Sequence, residues 1–179
     1  MRALKTLFLL FATASILLAG TLETKIYTLP KEAKPALKEI YRKIDSAKFK
    51  IDAAIYSFTH KKIAKKLANA ARRGVKVRVI FDKEANLGNR RSQIGYLSKF
   101  RNVQTYLLSG KKRKRGKGYG LMHMKMMIID NRDIILGSAN WTYSAFGLNH
   151  EVVAFLTSYQ KAKRLENVFE KMILKAEEY

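Results

Sequence analysis

The chain has 179 residues, the length of one ordinary domain and too short for two full ones. With 47% hydrophobic residues and 2 prolines it can bury a sizeable core, and with no cysteine it excludes a disulfide scaffold, a thiolate zinc site and a cysteine nucleophile. The 36 Lys and Arg against 14 Asp and Glu give a net charge of +22, which points to a polyanionic partner, nucleic acid or an anionic membrane surface, and leaves a non-enzymatic basic binding protein open.

Residues 1–20 open with Arg2 and Lys5, then run apolar from Leu7 to Gly20. A charged start, an apolar stretch of 14 residues and small residues at its end make the pattern of a secretory signal. Extended to Leu22, the same stretch would serve instead as an uncleaved N-terminal membrane anchor over residues 1–22. Leu17-Leu-Ala-Gly20 resembles a lipoprotein signal, but Thr21 stands where lipidation needs cysteine. Removing the segment leaves +20, so the basic character belongs to residues 21–179.

Beyond it, helical and strand periodicities alternate. Ala33, Ala36, Leu37, Ile40, Tyr41 and Ile44 mark a first helix, and Phe49 to Phe58 a strand. Ile63, Ala64, Leu67, Ala68 and Ala71 mark a second helix, closed by Arg72-Arg73-Gly74. Val75 to Phe81 reads as a buried strand. Ile94, Leu97 and Phe100 suggest a third helix, and 103–108 a short strand. The loop 110–118 follows, then strands over 122–130, 133–136 and 150–156, with a short helix over 142–147. The stretch 159–178 is amphipathic. This order predicts a single α/β domain, a mixed sheet with helices on both faces, and an antiparallel pair around the turn 130–133. There is no internal repeat.

The informative segment is His123-Met-Lys125-Met-Met-Ile-Ile-Asp130, then Gly137-Ser138-Ala139-Asn140. On a strand, His123 and Lys125 share one face about 6.5–7 Å apart, an imidazole beside an ammonium that can hold an anion. Two solvated side chains are the alternative, less apt beside Met127 and Ile129 on that face. Asp130 falls on the opposite face at a turn, where it would support the site indirectly. Asn140 could also N-cap a helix near Trp141. His60 is expected at the surface, and His150 packed or turn-exposed. With no cysteine and no dense Asp/Glu/His cluster, neither a metal site nor a cofactor is expected.

His-x-Lys-x4-Asp followed by Gly-Ser-x-Asn resembles the signature of the phospholipase D superfamily, nearest to its small single-motif bacterial endonucleases. The resemblance extends over most of 24–179 and includes Ala54-Ile-Tyr-Ser-Phe-Thr59. It implies a phospholipase D/nuclease-like fold with its motif at 123–140. It also implies a metal-independent reaction in which one His123 attacks phosphorus, giving a phosphohistidine, while a second His123 protonates the leaving oxygen and then activates water. Lys125 and Asn140 would hold the non-bridging oxygens, and Ser138 would donate to the phosphate or only shape the turn. Glu151 matches the carboxylate that orients the histidine, an exposed strand end being the alternative. One motif per chain implies a homodimer.

Such chemistry serves lipid and nucleic acid alike. Lys111, Lys112, Arg113, Lys114, Arg115 and Lys117 put six cations in seven residues just before the catalytic strand, followed by Tyr119 as a stacking surface. Lys61, Lys62, Lys65, Lys66, Arg72, Arg73, Arg90 and Arg91 add positive surface. The reading is an exported endonuclease of low specificity on DNA, with RNA as a further substrate, located in the periplasm, at the membrane or outside the cell. The alternatives are a phospholipase or cardiolipin-cleaving enzyme, and an idle nucleic-acid-binding protein of DNA uptake. Against the lipid alternative stands the lack of any long apolar lid or acyl-binding segment.

Overall fold

Ile51 to Ile55 and Val77 to Phe81 are buried on both faces, which is what near-continuous apolar runs become when helices cover each side of a sheet. They lie in β2 (Lys50–Ile55) and β3 (Lys76–Asp82), which pair in parallel, and β4 (Val103–Leu108) extends the parallel set. The computed structural model describes residues 24–179; the apolar segment expected as a signal or anchor lies outside the described residues. Among the described residues no helix is long and apolar enough to cross a membrane.

β5 (Lys125–Ile129) runs antiparallel to β2, and β6 (Asp133–Gly137), β7 (Glu151–Thr157) and β1 (Thr24–Leu29) continue as an antiparallel series. The sheet order is β1-β7-β6-β5-β2-β3-β4-β8, with β8 (Glu177–Glu178) antiparallel to β4. The mixed sheet agrees with the expectation. Sequence periodicity missed both end strands, β1 and β8. The strand expected over 122–130 is shorter than foreseen, because the β2–β5 register ends at the Ile55–Lys125 pair and only the Tyr56 amide, donating to the Met124 carbonyl, continues it.

Helices α1 (Ala33–Ser46) and α2 (Lys61–Arg72) cover one face, packing Ile40, Ile44, Ile63 and Leu67 over Ile51, Ala53, Val77 and Val79. On the other face α6 (Tyr159–Ile173) lays Ala162 and Phe169 against Ala54, Ile80, Met126 and Ile128. The amphipathic stretch thus ends as a helix at Ile173, and the chain turns back to pair Glu177 with Leu107. That pairing covers the β4 edge, which would otherwise present unpaired backbone groups. Short helices α3 (Lys83–Asn86), α4 (Ile94–Leu97) and α5 (Tyr143–Gly147) lie in the connections.

The expectation of a surface His60 is corrected. The residue is buried, its Nδ1 accepts from the Ile63 amide at 3.4 Å to cap α2, and its ring stacks on Tyr143 at 4.3 Å. Trp141 fixes it there, since the Trp141 carbonyl accepts from the Thr59 and His60 amides at 2.9 Å each. His150, by contrast, is exposed.

Under α6, Arg78 donates to both Asp52 oxygens at 2.7 Å and to Glu170, while Lys50 bridges Glu166 at 2.6 Å and Asp52 at 3.2 Å. The three carboxylates approach within 4.8 Å of one another, and the two cations answer their charge. Fully ionised, the group would carry one excess negative charge. Burial pushes Glu166 up to about 7, with Asp52 adding to the shift and Lys50 opposing it. An acid raised in the folded state holds a proton that the unfolded chain has lost, so this group's contribution to stability falls as pH rises from about 4.5 to about 7. Glu166→Gln should leave the melting temperature at pH 5 nearly unchanged and flatten its decline towards pH 8. An equally steep decline in the variant, followed by calorimetry, would assign the dependence elsewhere.

Candidate active site

Parallel β2, β3 and β4 end at the same rim, where β5 and β7 begin, so the connections that follow them converge there, as in other open α/β sheets. His123 lies on that rim, just ahead of β5. The Met122 amide donates to Asp82 Oδ2 at 2.8 Å, and the Met124 carbonyl accepts from the Tyr56 amide at 2.9 Å. Both flanking residues are therefore held while the His123 side chain is exposed. Asp82 also caps α3 through the Ala85 amide at 2.9 Å.

His123 and Lys125 differ in exposure. Lys125 turns inward and is buried, whereas His123 faces solvent outside the ladder. They still meet through Tyr56. Its ring lies 4.6 Å from the His123 ring, and the Lys125 Nζ sits 5.1 Å from the centre of the same ring. Lys125 Nζ also donates to the His123 carbonyl at 2.9 Å. Burial pushes the Lys125 pKa down, and the Glu151 carboxylate opposes the shift. Tyr56 itself is fixed by Asn86, whose Nδ2 donates to its carbonyl at 2.7 Å. Neither Tyr56, Asn86 nor Asp82 was singled out from sequence.

Across the rim, Glu151 forms a group with Ser138. The Ser138 hydroxyl donates to Glu151 Oε2 at 2.5 Å and accepts from the Val152 amide at 3.1 Å, and Asn149 donates to Glu151 Oε1 at 3.3 Å. Among the described residues no hydrogen bond joins Glu151 to His123. Gly137 makes the approach of β6 to β7 feasible, since a Cβ there would lie 2.0 Å from the Val152 carbonyl oxygen. Asn140 Oδ1 is buried without a hydrogen-bond partner. The N-cap of α5 is Thr142, through the Ala145 amide at 3.1 Å, so Asn140 is not committed to that task. Asp130 stands apart at the opposite end of the sheet, where its carboxylate accepts from the amides of Lys48, Phe49 and Lys50.

The basic loop is a narrow hairpin. The Gly110 amide donates to the Gly120 carbonyl at 2.7 Å, and Lys112 pairs with Tyr119. Lys111, Lys112, Arg113, Lys114, Arg115 and Lys117 are all exposed. A cleft of about 880 Å³ lies at its foot, with Lys111, Tyr119 and His123 in its wall.

Residues 40–173 match the family domain described as "Cardiolipin synthase, PLD-like domain". Mitochondrial cardiolipin hydrolase from Homo sapiens is 29% identical over 137 residues, 76% of this chain and 50% of that protein. Phospholipase D from Rickettsia felis is 30% identical over 142 residues, 79% of this chain and 66% of that protein. The chain thus spans about half the length of the cardiolipin hydrolase it matches. NucT from Helicobacter pylori superposes with a TM-score of 0.86 at 38% identity, covering 88% of this chain and 99% of that one. Nuc from Salmonella typhimurium, with a TM-score of 0.74 at 23% identity and coverage of 88% and 98%, shares the fold. A domain matched from Ile40 to Ile173 and a sheet shared almost end to end with NucT carry one conclusion: the chain belongs to the phospholipase D superfamily of phosphodiesterases, in its small single-domain branch.

Proposed function

We propose that the protein is an exported endonuclease of low sequence specificity, hydrolysing DNA, and RNA as well, without a metal ion and as a homodimer. The observation that supports this best is the exposed His123 in the wall of a cleft that it shares with Lys111 and Tyr119 of a hairpin bearing six cations. A phosphate backbone held by the hairpin would run directly to the imidazole. The imidazole nitrogen of one His123 attacks phosphorus, and the P–O bond to the leaving oxygen breaks. The leaving oxygen takes a proton from the second subunit's His123. That histidine then removes a proton from water, whose oxygen displaces the first imidazole from phosphorus. Lys125 and the Asn140 amide steady the non-bridging oxygens, and Ser138 either turns its hydroxyl from Glu151 to the phosphate or only shapes the turn. Glu151 orients the imidazole. Arrival of a phosphate would give the buried Lys125 ammonium a counter-charge. Export rests on the pattern of residues 1–20.

A second reading, a phospholipase acting on cardiolipin, is favoured by the cleft itself. Leu87, Leu121, Met122, Met124, Val168 and Met172 line it, an apolar surface beside His123 assembled from separate segments of the chain. The argument from a missing acyl-binding segment therefore loses its force. Incubating the protein with labelled single-stranded DNA, double-stranded DNA, RNA and cardiolipin vesicles in excess chelator separates the readings. We expect the nucleic acids to be cut. Loss of activity in chelator with recovery in magnesium would refute the phosphohistidine route, and turnover of cardiolipin alone would establish the second reading.

A further inference from the structure

A second cavity, of about 670 Å³, opens on the same rim between the start of α2 and the segment 86–99. Lys61, Lys65, Arg90 and Lys99 line it, and no acidic side chain does. None of these four is in an ion pair among the described residues, whereas other cations of the chain, Lys43, Lys50, Lys66, Arg78 and Lys83, are each matched with a carboxylate. Four unmatched cations around one concavity repel one another unless an anion enters. Tyr179, half exposed, forms part of the wall and offers a ring face.

The cavity lies close to the reacting centre. Asn86 lines it and donates to the Tyr56 carbonyl, while the Tyr56 ring rests against His123. Asn86 and Tyr56 thus link the cavity wall to the imidazole. We propose that this cavity is a nucleotide subsite. It would take a phosphate of the strand flanking the scissile one among Lys61, Lys65, Arg90 and Lys99, with the attached base against Tyr179. The inference rests on the nuclease reading and adds a second cationic hold beside the one at the hairpin. A strand would then be gripped at two places, and short substrates would reach only one grip.

The test compares the wild-type protein with Arg90→Ala/Lys99→Ala and with Lys48→Ala/Lys161→Ala. The latter pair removes the same charge from exposed positions at the opposite end of the sheet. Binding of a labelled 12-nucleotide single strand is followed by anisotropy across salt concentrations. Hydrolysis of bis(p-nitrophenyl) phosphate reports on the reacting centre without the flanking strand. The cavity pair should raise the Kd for the strand at least tenfold. It should also flatten the salt slope by about 0.7 for each phosphate that is no longer neutralised, and leave reporter turnover within twofold. The control pair should change Kd less than twofold. Equal effects of the two pairs, or an unchanged slope in the cavity variant, would overturn the subsite. So would weakened binding to cardiolipin vesicles with the 12-nucleotide strand unaffected, which would assign the cations to a lipid headgroup. A wild-type protein that hydrolyses the reporter yet fails to bind the strand at low salt would bring down the nuclease reading and the subsite with it. A variant effect confined to the cavity pair, together with cleavage of the strand by the wild-type protein, requires both.

Discussion

Replacing His123 by alanine should lower turnover of any phosphodiester by on the order of 10⁴ or more while leaving the melting temperature nearly unchanged. The ring is exposed and its described contact is with the Tyr56 ring, so its removal opens no core cavity. Covalent chemistry makes the loss large, since no neighbouring group can take over the bond to phosphorus. Mixing the variant with wild-type chains extends the test. A mixed dimer would hold a single histidine and complete no cycle, so activity should fall with the square of the wild-type fraction. A linear fall would mean that each chain works alone. Residual turnover within tenfold of wild type would remove His123 from the chemistry altogether.

The opposite pattern is expected for Asp130→Ala. This carboxylate accepts from three consecutive amides, Lys48 at 2.8 Å, Phe49 at 3.0 Å and Lys50 at 3.0 Å, and so ties the entry of β2 to the β5–β6 turn. Its own φ is 51° and that of Asn131 is 53°, left-handed values that Asp and Asn tolerate and alanine resists. Losing the charged acceptor and adding the backbone strain should together cost about 3 kcal/mol. For a domain of this size that is a fall of about 10 °C in melting temperature. At 20 °C, kcat should stay within threefold of wild type. Asp130→Asn, which keeps one acceptor oxygen and the left-handed tolerance, should fall between. A large loss of kcat in Asp130→Ala with an unaltered melting temperature would place this residue in the chemistry instead.

The parts of the fold that could be read in the sequence are those that carry their own pattern. Ile51, Ala53 and Ile55 alternate, Val75 to Phe81 is a β-branched run, and the stripes at Ile40 and Ile44 and at Ile63 and Leu67 repeat at helical spacing. β1 was missed because Thr24-Lys-Ile-Tyr-Thr-Leu29 has little alternation of its own, and its strand character comes from pairing with β7, far along the chain. His60 was misplaced for a similar reason, its enclosure being supplied by Trp141, Tyr143 and Phe146. At the candidate site, the spacing of His123 and Lys125 marked the right segment. Their different exposure depends on where β2 ends, which the segment itself does not encode. The cleft beside His123 was invisible because Leu87, Leu121 and Met172 are distant in sequence and meet only in the folded chain.

The suspension of His123 between two tethered neighbours bears on how fast the protein could work. The backbone at Met122 and Met124 is pinned, so the segment need not move as a unit, while the exposed imidazole rests on the Tyr56 ring and can change rotamer without disturbing the core. Exposed side chains change rotamer in picoseconds to nanoseconds. Attack, release and reset of the ring would then need no opening of the sheet and no loop closure. Turnover of a small, unstructured phosphodiester should accordingly be insensitive to solvent viscosity at saturating concentration, its rate set by bond making at phosphorus rather than by travel of the protein.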